Sequence, residues 1–416
     1  MANRLLFTLL MLCFILPLAN SQNNSGKSNA SLTATIDSIL NSQVSNEKIP
    51  GAVIQIKKDG HIVYSKAYGY SQKYDIDHQL LDPPVPMNTA TLFDMASLTK
   101  VIGTTTSMML LADRGLVSVD DPVGKYIPSF LKGPKKDITI RHLLTHTSGL
   151  YEWYPLFYYA SNKAETYQFI GELPLKYPVG KQRRYSDLGF IILGQIIEKV
   201  SGMTLEAFEK TNIFEPLGMT HTMYNPLQHG RTTNIAATSL GNPYETRMVY
   251  DSTLGFAVKG LDPASWNGWR KYVVKGEVND GNAWYANGGV AGSAGLFSTA
   301  GDVQKLVDML LQKGKVNGQT FISPATIDLF FTRDKFNNGL GWMMDTTDSF
   351  IKNGPIGTFG HTGFTGTSIM VVPQYHLSVI LLINRQNMGL LKSGYYYNVT
   401  PVRRQVYEAV MHHYRQ

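Results

Sequence analysis

Apolar residues recur at Leu32, Ile36, Ile39, Leu40 and Val44, the three-to-four spacing of an amphipathic helix, and Pro50-Gly51 ends the pattern. Two strand-like runs, Ala52 to Lys57 and His61 to Tyr68, flank Lys58-Asp59-Gly60 and predict a β-hairpin. A proline-rich stretch with Pro83, Pro84 and Pro86 reads as a loop leading to a long helix that starts at Ser97, runs through the apolar Val101 to Leu111, and is capped near Gly115. A second apolar helix is expected from Ile191 to Ile197. Near the other end, Ser368 to Val372 and Leu377 to Asn384 are strand-like around Pro373-Gln374-Tyr375, and a helix is expected from about Val402 to Tyr414. Strand signals at both ends with mostly helical signals between them predict one sheet built from the two ends of the chain. The intervening segment is then an insertion.

The first residues change the picture of where this chain works. Arg4, an apolar run from Leu5 to Leu18 and Ala19-Asn20-Ser21 before Gln22 form the pattern of a cleavable secretory signal over residues 1–21. A membrane anchor is the competing reading, but the run is short for a span and Pro17 breaks it. The expected compartment is a bacterial periplasm, with no stable membrane span after cleavage. Cys13 is the only cysteine of the 416 residues and lies in that segment, so the mature chain would have no disulfide, no thiol nucleophile and no thiolate metal site. The formal charge of +7 falls by one with Arg4. With no dense Lys/Arg stripe, this mild excess argues against nucleic-acid binding.

The candidate chemistry lies in three short motifs in chain order: Ser97-Leu98-Thr99-Lys100, Tyr185-Ser186-Asp187 and His361-Thr362-Gly363. Ser-x-x-Lys alone means little, because it also occurs at Ser45/Lys48, Ser129/Lys132 and Ser349/Lys352. Only Ser97 opens a long helix-compatible apolar stretch. One helical turn places Ser97 and Lys100 on one face. A serine hydroxyl needs a neighbour to take its proton, and a buried lysine of lowered pKa is a candidate acceptor. The helix N-terminus adds positive potential where an oxyanion would form.

Taken together, the motifs resemble the penicillin-binding protein and serine beta-lactamase superfamily, on its class C-like, esterase and D-aminopeptidase side. The resemblance implies an α/β plus all-α fold: an antiparallel sheet flanked by helices from 22–131 and 290–416, and an inserted, mainly helical domain over 132–289. It implies a catalytic Ser97, Lys100 and Tyr185, the phenolate of Tyr185 being stabilised by Lys100 and taking the Ser97 proton. An oxyanion hole would come from the amides of Ser97 and Phe364. Substrate contacts are expected from Asp187, His361, Thr362 and Gly363.

Two positions depart from the superfamily pattern. Asp187 stands where asparagine is usual, and it reads equally as an N-cap or as a carboxylate that raises the Lys100 pKa. His361 stands where beta-lactamases and carboxypeptidases usually carry lysine, which weakens recognition of a free carboxylate. Tyr151, Trp153 and Tyr154, within an aromatic-rich segment running to Tyr159, are candidate pocket walls.

Arg141 to Leu150 resembles a structural motif of class C-like members. Its His142 and His146 lack a third ligand, so no metal is expected. The stretches Gly276 to Asn282 and Asn287 to Gly295 resemble a subgroup of envelope proteins near cell-wall recycling enzymes, with close packing the simpler use of their glycines. The expected protein is an exported serine hydrolase, without cofactor, acting on an ester, a β-lactam or a peptidoglycan-derived peptide. Acyl transfer to a hydroxyl or amine acceptor, and penicillin sensing without turnover, are the alternatives. Oligomeric state is left open.

Overall fold

The computed structural model describes residues 22–415; the expected signal segment, 1–21, lies outside the described residues. Six antiparallel strands form the main sheet. They are β1 (Gly51–Lys58), β2 (His61–Tyr74), β3 (Leu80–Pro86), β4 (Phe359–Thr362), β5 (Ser368–Val372) and β6 (Leu377–Ile383), in the spatial order β4-β5-β6-β1-β2-β3. Both chain ends therefore contribute, and the seam is the β1–β6 pair, in register from Ala52↔Ile383 to Lys58↔Leu377. The helices that position the site or cover the sheet are α1 (Gln22–Ser45), α2 (Asp187–Ser201), α3 (Ala300–Leu311) and α4 (Thr400–Tyr414).

Strand periodicity explains why both faces are dry at the centre of the sheet, in β1, β5 and β6. Along β1, Ala52, Ile54 and Ile56 face one core with Leu32, Ile36 and Leu40 of α1 and Val402, Val406 and Val410 of α4, whereas Val53 faces the other. The second core takes Ile369, Val371, Ile380 and Leu382 from the sheet and almost the whole apolar face of α2. Each fully buried aliphatic side chain contributes about 1.5–3 kcal/mol relative to exposure. No single helix among the described residues is long and apolar enough to cross a membrane.

Two expectations are corrected. The prolines at 83, 84 and 86 do not form a loop. They belong to β3, the outermost strand, paired irregularly with β2 at Tyr70↔Pro86, Gln72↔Val85 and Tyr74↔Leu80. An edge strand tolerates residues that cannot donate to a ladder.

The Ser97 helix is also not one regular helix. A tight turn over Ala96–Leu98 passes into a wide, π-type stretch over Lys100–Thr105, and regular α-helix begins only at Thr106–Asp113. Side chains widen this stretch: Thr106 Oγ1 donates to Val101 O at 2.9 Å, and Thr104 Oγ1 donates outward to Gly292 O at 2.7 Å.

Glu209 presses on the same stretch. Its carboxylate sits where a Cβ on Gly103 would be, 2.3 Å from Oε2, so only glycine fits there. Glu209 has no exposure; Tyr224 donates to Oε2 at 3.0 Å, and among the described residues Oε1 has no partner. Burial pushes its pKa up to about 8. The unfolded chain releases this proton near pH 4.5 while the folded chain keeps it, so the contribution to stability present at low pH is lost as pH rises from about 4.5 to 8. Glu209→Gln is expected to stabilise the protein by about 1–3 kcal/mol at pH 8 and much less at pH 5. Urea unfolding at the two pH values checks this, and an equal effect at both would rule it out.

Candidate active site

The nucleophile candidate sits just after a strained residue. Ala96 has φ +47°, a conformation that side-chain-bearing residues rarely adopt. Its N–H donates to Asp94 Oδ1 at 2.8 Å, and Asp94 Oδ2 accepts from the Asn279 amide at 2.7 Å. Burial lifts Asp94 to about 6, with those two amides opposing the shift. From the other side, a Cβ on Gly363 would lie 2.6 Å from Met95 O and 2.1 Å from Thr367 Oγ1. Gly363 thus lets the turn after β4 close over the Ser97 turn.

Lys100 is completely buried. Its Nζ donates to Ser97 Oγ at 3.0 Å and Ser293 O at 2.8 Å, and pairs with Asp187 Oδ1 at 2.7 Å. Burial works against its charge, yet Asp187 followed by Tyr185 outweighs burial and leaves the pKa above the ordinary lysine value. The expected lowered pKa is corrected for this reason. These contacts favour the ammonium of Lys100 over its free amine. Asp187 is not the N-cap of α2 either; Ser186 is, accepting from the Gly189 amide at 3.2 Å, while Asp187 is spent on Lys100.

Tyr185 lies with its ring centroid 5.1 Å from Lys100 Nζ. Its hydroxyl is buried and, among the described residues, makes no hydrogen bond of good geometry, although Ser97 and Lys100 lie near enough to act on its ionisation. Burial raises its pKa, while Lys100 and Ser97 both favour the ionised form. Ser97, Lys100 and Tyr185 are thereby gathered into one cluster, and in free enzymes the hydrogen bonds among such groups are often long until substrate is bound.

His146, weighed in the sequence only as half of a metal pair, is the residue that holds Tyr185. Its carbonyl accepts from the Arg184 amide at 2.8 Å and its Nδ1 from the Ser186 amide at 3.0 Å, bracketing Tyr185 on both sides. The two rings lie 4.3 Å apart. His146 sits at φ +58° and is 3% exposed. His142 points elsewhere, its Nδ1 accepting from the Thr139 amide at 3.1 Å. His146→Asn keeps an acceptor and tolerates positive φ but removes the ring. It is expected to lower kcat about tenfold with KM within about twofold. An unchanged kcat in steady-state assays would show that the ring does not position Tyr185.

His361 is 1% exposed, and its Nδ1 bonds Thr362 O at 2.9 Å. Burial, then the charge of Lys100, holds its pKa down at about 3. It is neutral at working pH and adds no positive charge where the superfamily's lysine would.

The cleft above these groups has a volume of about 510 Å³. Ser97, Tyr185, Asp187, His361, Thr362, Gly363 and Phe364 all line it. Trp153 is on its wall with Met248 and Phe256. Tyr151 and Tyr154 are not: their rings pack edge-on 5.3 Å apart, and Tyr154 turns toward Phe169 at 5.6 Å, satisfying an aromatic cluster behind the wall. Sequence reasoning also missed Tyr244, Glu245, Asp280, Arg385 and Arg403 on the lining. Only the three-dimensional fold brings them there; Asp280 lies in the Gly276 to Asn282 stretch, which the sequence marked for packing rather than for the cleft, and no local pattern marks the others. Among the described residues no group of three or more His, Cys, Asp or Glu side chains is placed to hold a metal.

A partly exposed serine and tyrosine on the lining of a cleft, gathered around a fully buried lysine at the end of an antiparallel sheet, are the arrangement of a serine hydrolase. Residues 36–398 match the family described as Beta-lactamase, and the chain belongs to that family. It is 34% identical over 363 residues to the N-acetylmuramyl-L-alanine amidase of Bacillus subtilis (strain 168), covering 82% of this chain and 78% of that protein. It is 33% identical over 356 residues to an Escherichia coli (strain K12) protein provisionally named D-alanyl-D-alanine carboxypeptidase, covering 81% and 78%. The fold superposes on EstCE1, a hydrolase with promiscuous acyltransferase activity, with a TM-score of 0.66 at 21% identity, over 92% of this chain and 99% of that one.

Proposed function

We propose that the protein is exported to the cell envelope and cleaves an amide or ester bond in a peptidoglycan-derived peptide through an acyl-enzyme on Ser97. The observation that carries this reading is the charged Lys100, wedged between Ser97 Oγ and Asp187 beside the Tyr185 phenol. A lysine so held cannot accept a proton. It lowers the cost of the Tyr185 phenolate, which takes the proton of Ser97 as Oγ attacks the carbonyl carbon. The amides of Ser97 and Phe364 receive the oxyanion, and the proton now on Tyr185 passes to the leaving amine or alcohol as its bond to carbon breaks. The same phenolate then takes a proton from water as the water oxygen attacks the acyl carbon, and returns it to Ser97 Oγ as the Oγ–carbon bond breaks, releasing the acid.

The wall-peptide substrate is supported by the names of the amidase and carboxypeptidase relatives and by the N-terminal export pattern. Neutral His361 argues against strong recognition of a β-lactam carboxylate at that position. The apolar wall of Trp153, Met248 and Phe256, together with the acyltransferase activity of EstCE1, supports a second reading in which an alcohol or amine replaces water in the last step.

The test is intact-mass analysis of protein mixed with p-nitrophenyl butyrate, followed by peptide mapping. A transient butyryl adduct on the Ser97 peptide is expected, with slow nitrocefin turnover in parallel. An adduct elsewhere, or none with turnover proceeding, would overturn the reading. A stable nitrocefin adduct without turnover would instead make the protein a sensor.

A further inference from the structure

Outside the catalytic groups, the most unusual part of the cleft is its aromatic mouth. Tyr244, from the helix Pro243–Tyr250, meets Phe364 of the turn after β4 with ring centroids 5.3 Å apart. Tyr395 and Tyr396 lie 6.0 Å from Tyr244. Three distant chain segments thus converge on one patch. It is not core: Phe364 is 41% and Tyr395 48% exposed, and Tyr244 and Phe364 line the cleft itself.

A guanidinium is built into the patch. Arg385 stacks 5.0 Å from the Phe364 ring and 5.8 Å from Tyr396, and donates through Nε to Phe364 O at 3.0 Å. Among the described residues it forms no ion pair with a carboxylate. Burial lowers its pKa to about 10, so it stays charged at neutral pH.

We propose that Tyr244, Phe364 and Tyr395, with Arg385 at their edge, form a saccharide platform that holds the sugar ring of a glycan-linked peptide while the scissile carbonyl lies at Ser97. A hydrocarbon acyl chain would call for an enclosed apolar slot, whereas these rings are open to water at the cleft mouth. A pyranose has an apolar C–H face to lie on an aromatic ring and a rim of hydroxyls for a guanidinium and phenols to bond. Phe364 ties the two functions together, because its ring is on the platform and its amide is one of the two assigned to the oxyanion in the proposed function. A sugar on the platform is therefore a few bonds from the acyl carbon. This substrate class rests on the reading of Ser97 as the acyl-enzyme nucleophile.

The test is competitive inhibition of p-nitrophenyl butyrate hydrolysis by N-acetylmuramoyl-L-alanine and by its glycan-free counterpart, D-lactoyl-L-alanine. The sugar-bearing compound is expected to inhibit at least about tenfold more strongly, and Tyr395→Ala to reduce that ratio at least about threefold. Tyr395→Leu, which keeps bulk but not the ring, serves as a second variant and should reduce it similarly. Equal inhibition by the two compounds, or a ratio unchanged in both variants, overturns the platform while leaving Ser97-dependent hydrolysis standing. Loss of Ser97-dependence in the uninhibited rate would instead bring down the functional reading, and the inhibition ratio still decides whether sugar binds.

Discussion

Ser97→Ala is expected to lower kcat/KM for p-nitrophenyl butyrate by about 10⁴-fold or more, and Lys100→Ala to come within about tenfold of that loss. A 10⁴-fold loss corresponds to about 5.5 kcal/mol of transition-state stabilisation. It is reasonable for Lys100 because one buried cation serves three neighbours: it bonds the nucleophile, carries Asp187 and makes the Tyr185 phenolate affordable. Groups that act as a unit do not add, so the double variant should be no slower than Ser97→Ala alone. Removing Lys100 leaves the Asp187 carboxylate without its partner, but that side chain is 21% exposed, so water can replace the ammonium. Thermal melts should therefore show both single variants folded. Steady-state kinetics on the three variants decides the matter. A Ser97→Ala enzyme retaining more than about one hundredth of the wild-type rate, or losses that sum in the double variant, would contradict the assignment.

Much of this site was legible because its chemistry lies in short contiguous motifs. Ser97/Lys100, Tyr185 and His361 could be found from residue types in chain order, and the strands β1, β2, β5 and β6 from alternation between turn residues. What the sequence hid was governed by contacts across long separations. The Lys100 charge depends on Asp187, 87 positions away in the chain; the sequence offered that pairing only as one of two equal readings, and burial alone predicts the opposite direction. His146 looked like half a metal pair because its bonds to the Arg184 and Ser186 amides leave no trace in local spacing. Tyr151 and Tyr154 shared every compositional feature with Trp153, and only side-chain packing separates the wall from what stands behind it. The prolines of β3 misled for another reason: proline forbids a central strand, but not an edge one.

Asp187→Asn is expected to move the whole pH–rate profile to lower pH by about 1–2 units and to cut activity at pH 9 by about 10- to 100-fold. The sign follows from what Asp187 does to its two neighbours. Burial lowers the Lys100 pKa and Asp187 is the first of the groups that raise it; without that carboxylate, burial goes less opposed and the ammonium loses its proton at lower pH. The alkaline limb, where the working cation disappears, therefore moves down. Asp187 also raises the Tyr185 pKa, third after burial and against the pull of Lys100. Its removal lets the phenolate form at lower pH, so the acid limb moves in the same direction. The two limbs belong to the coupled lysine–tyrosine pair rather than to either residue alone. His361, held near 3, contributes to neither. Profiles of kcat/KM for the wild type and Asp187→Asn distinguish this scheme from one in which neutral Lys100 is the base. In that scheme, losing Asp187 would free the amine and raise activity at pH 9.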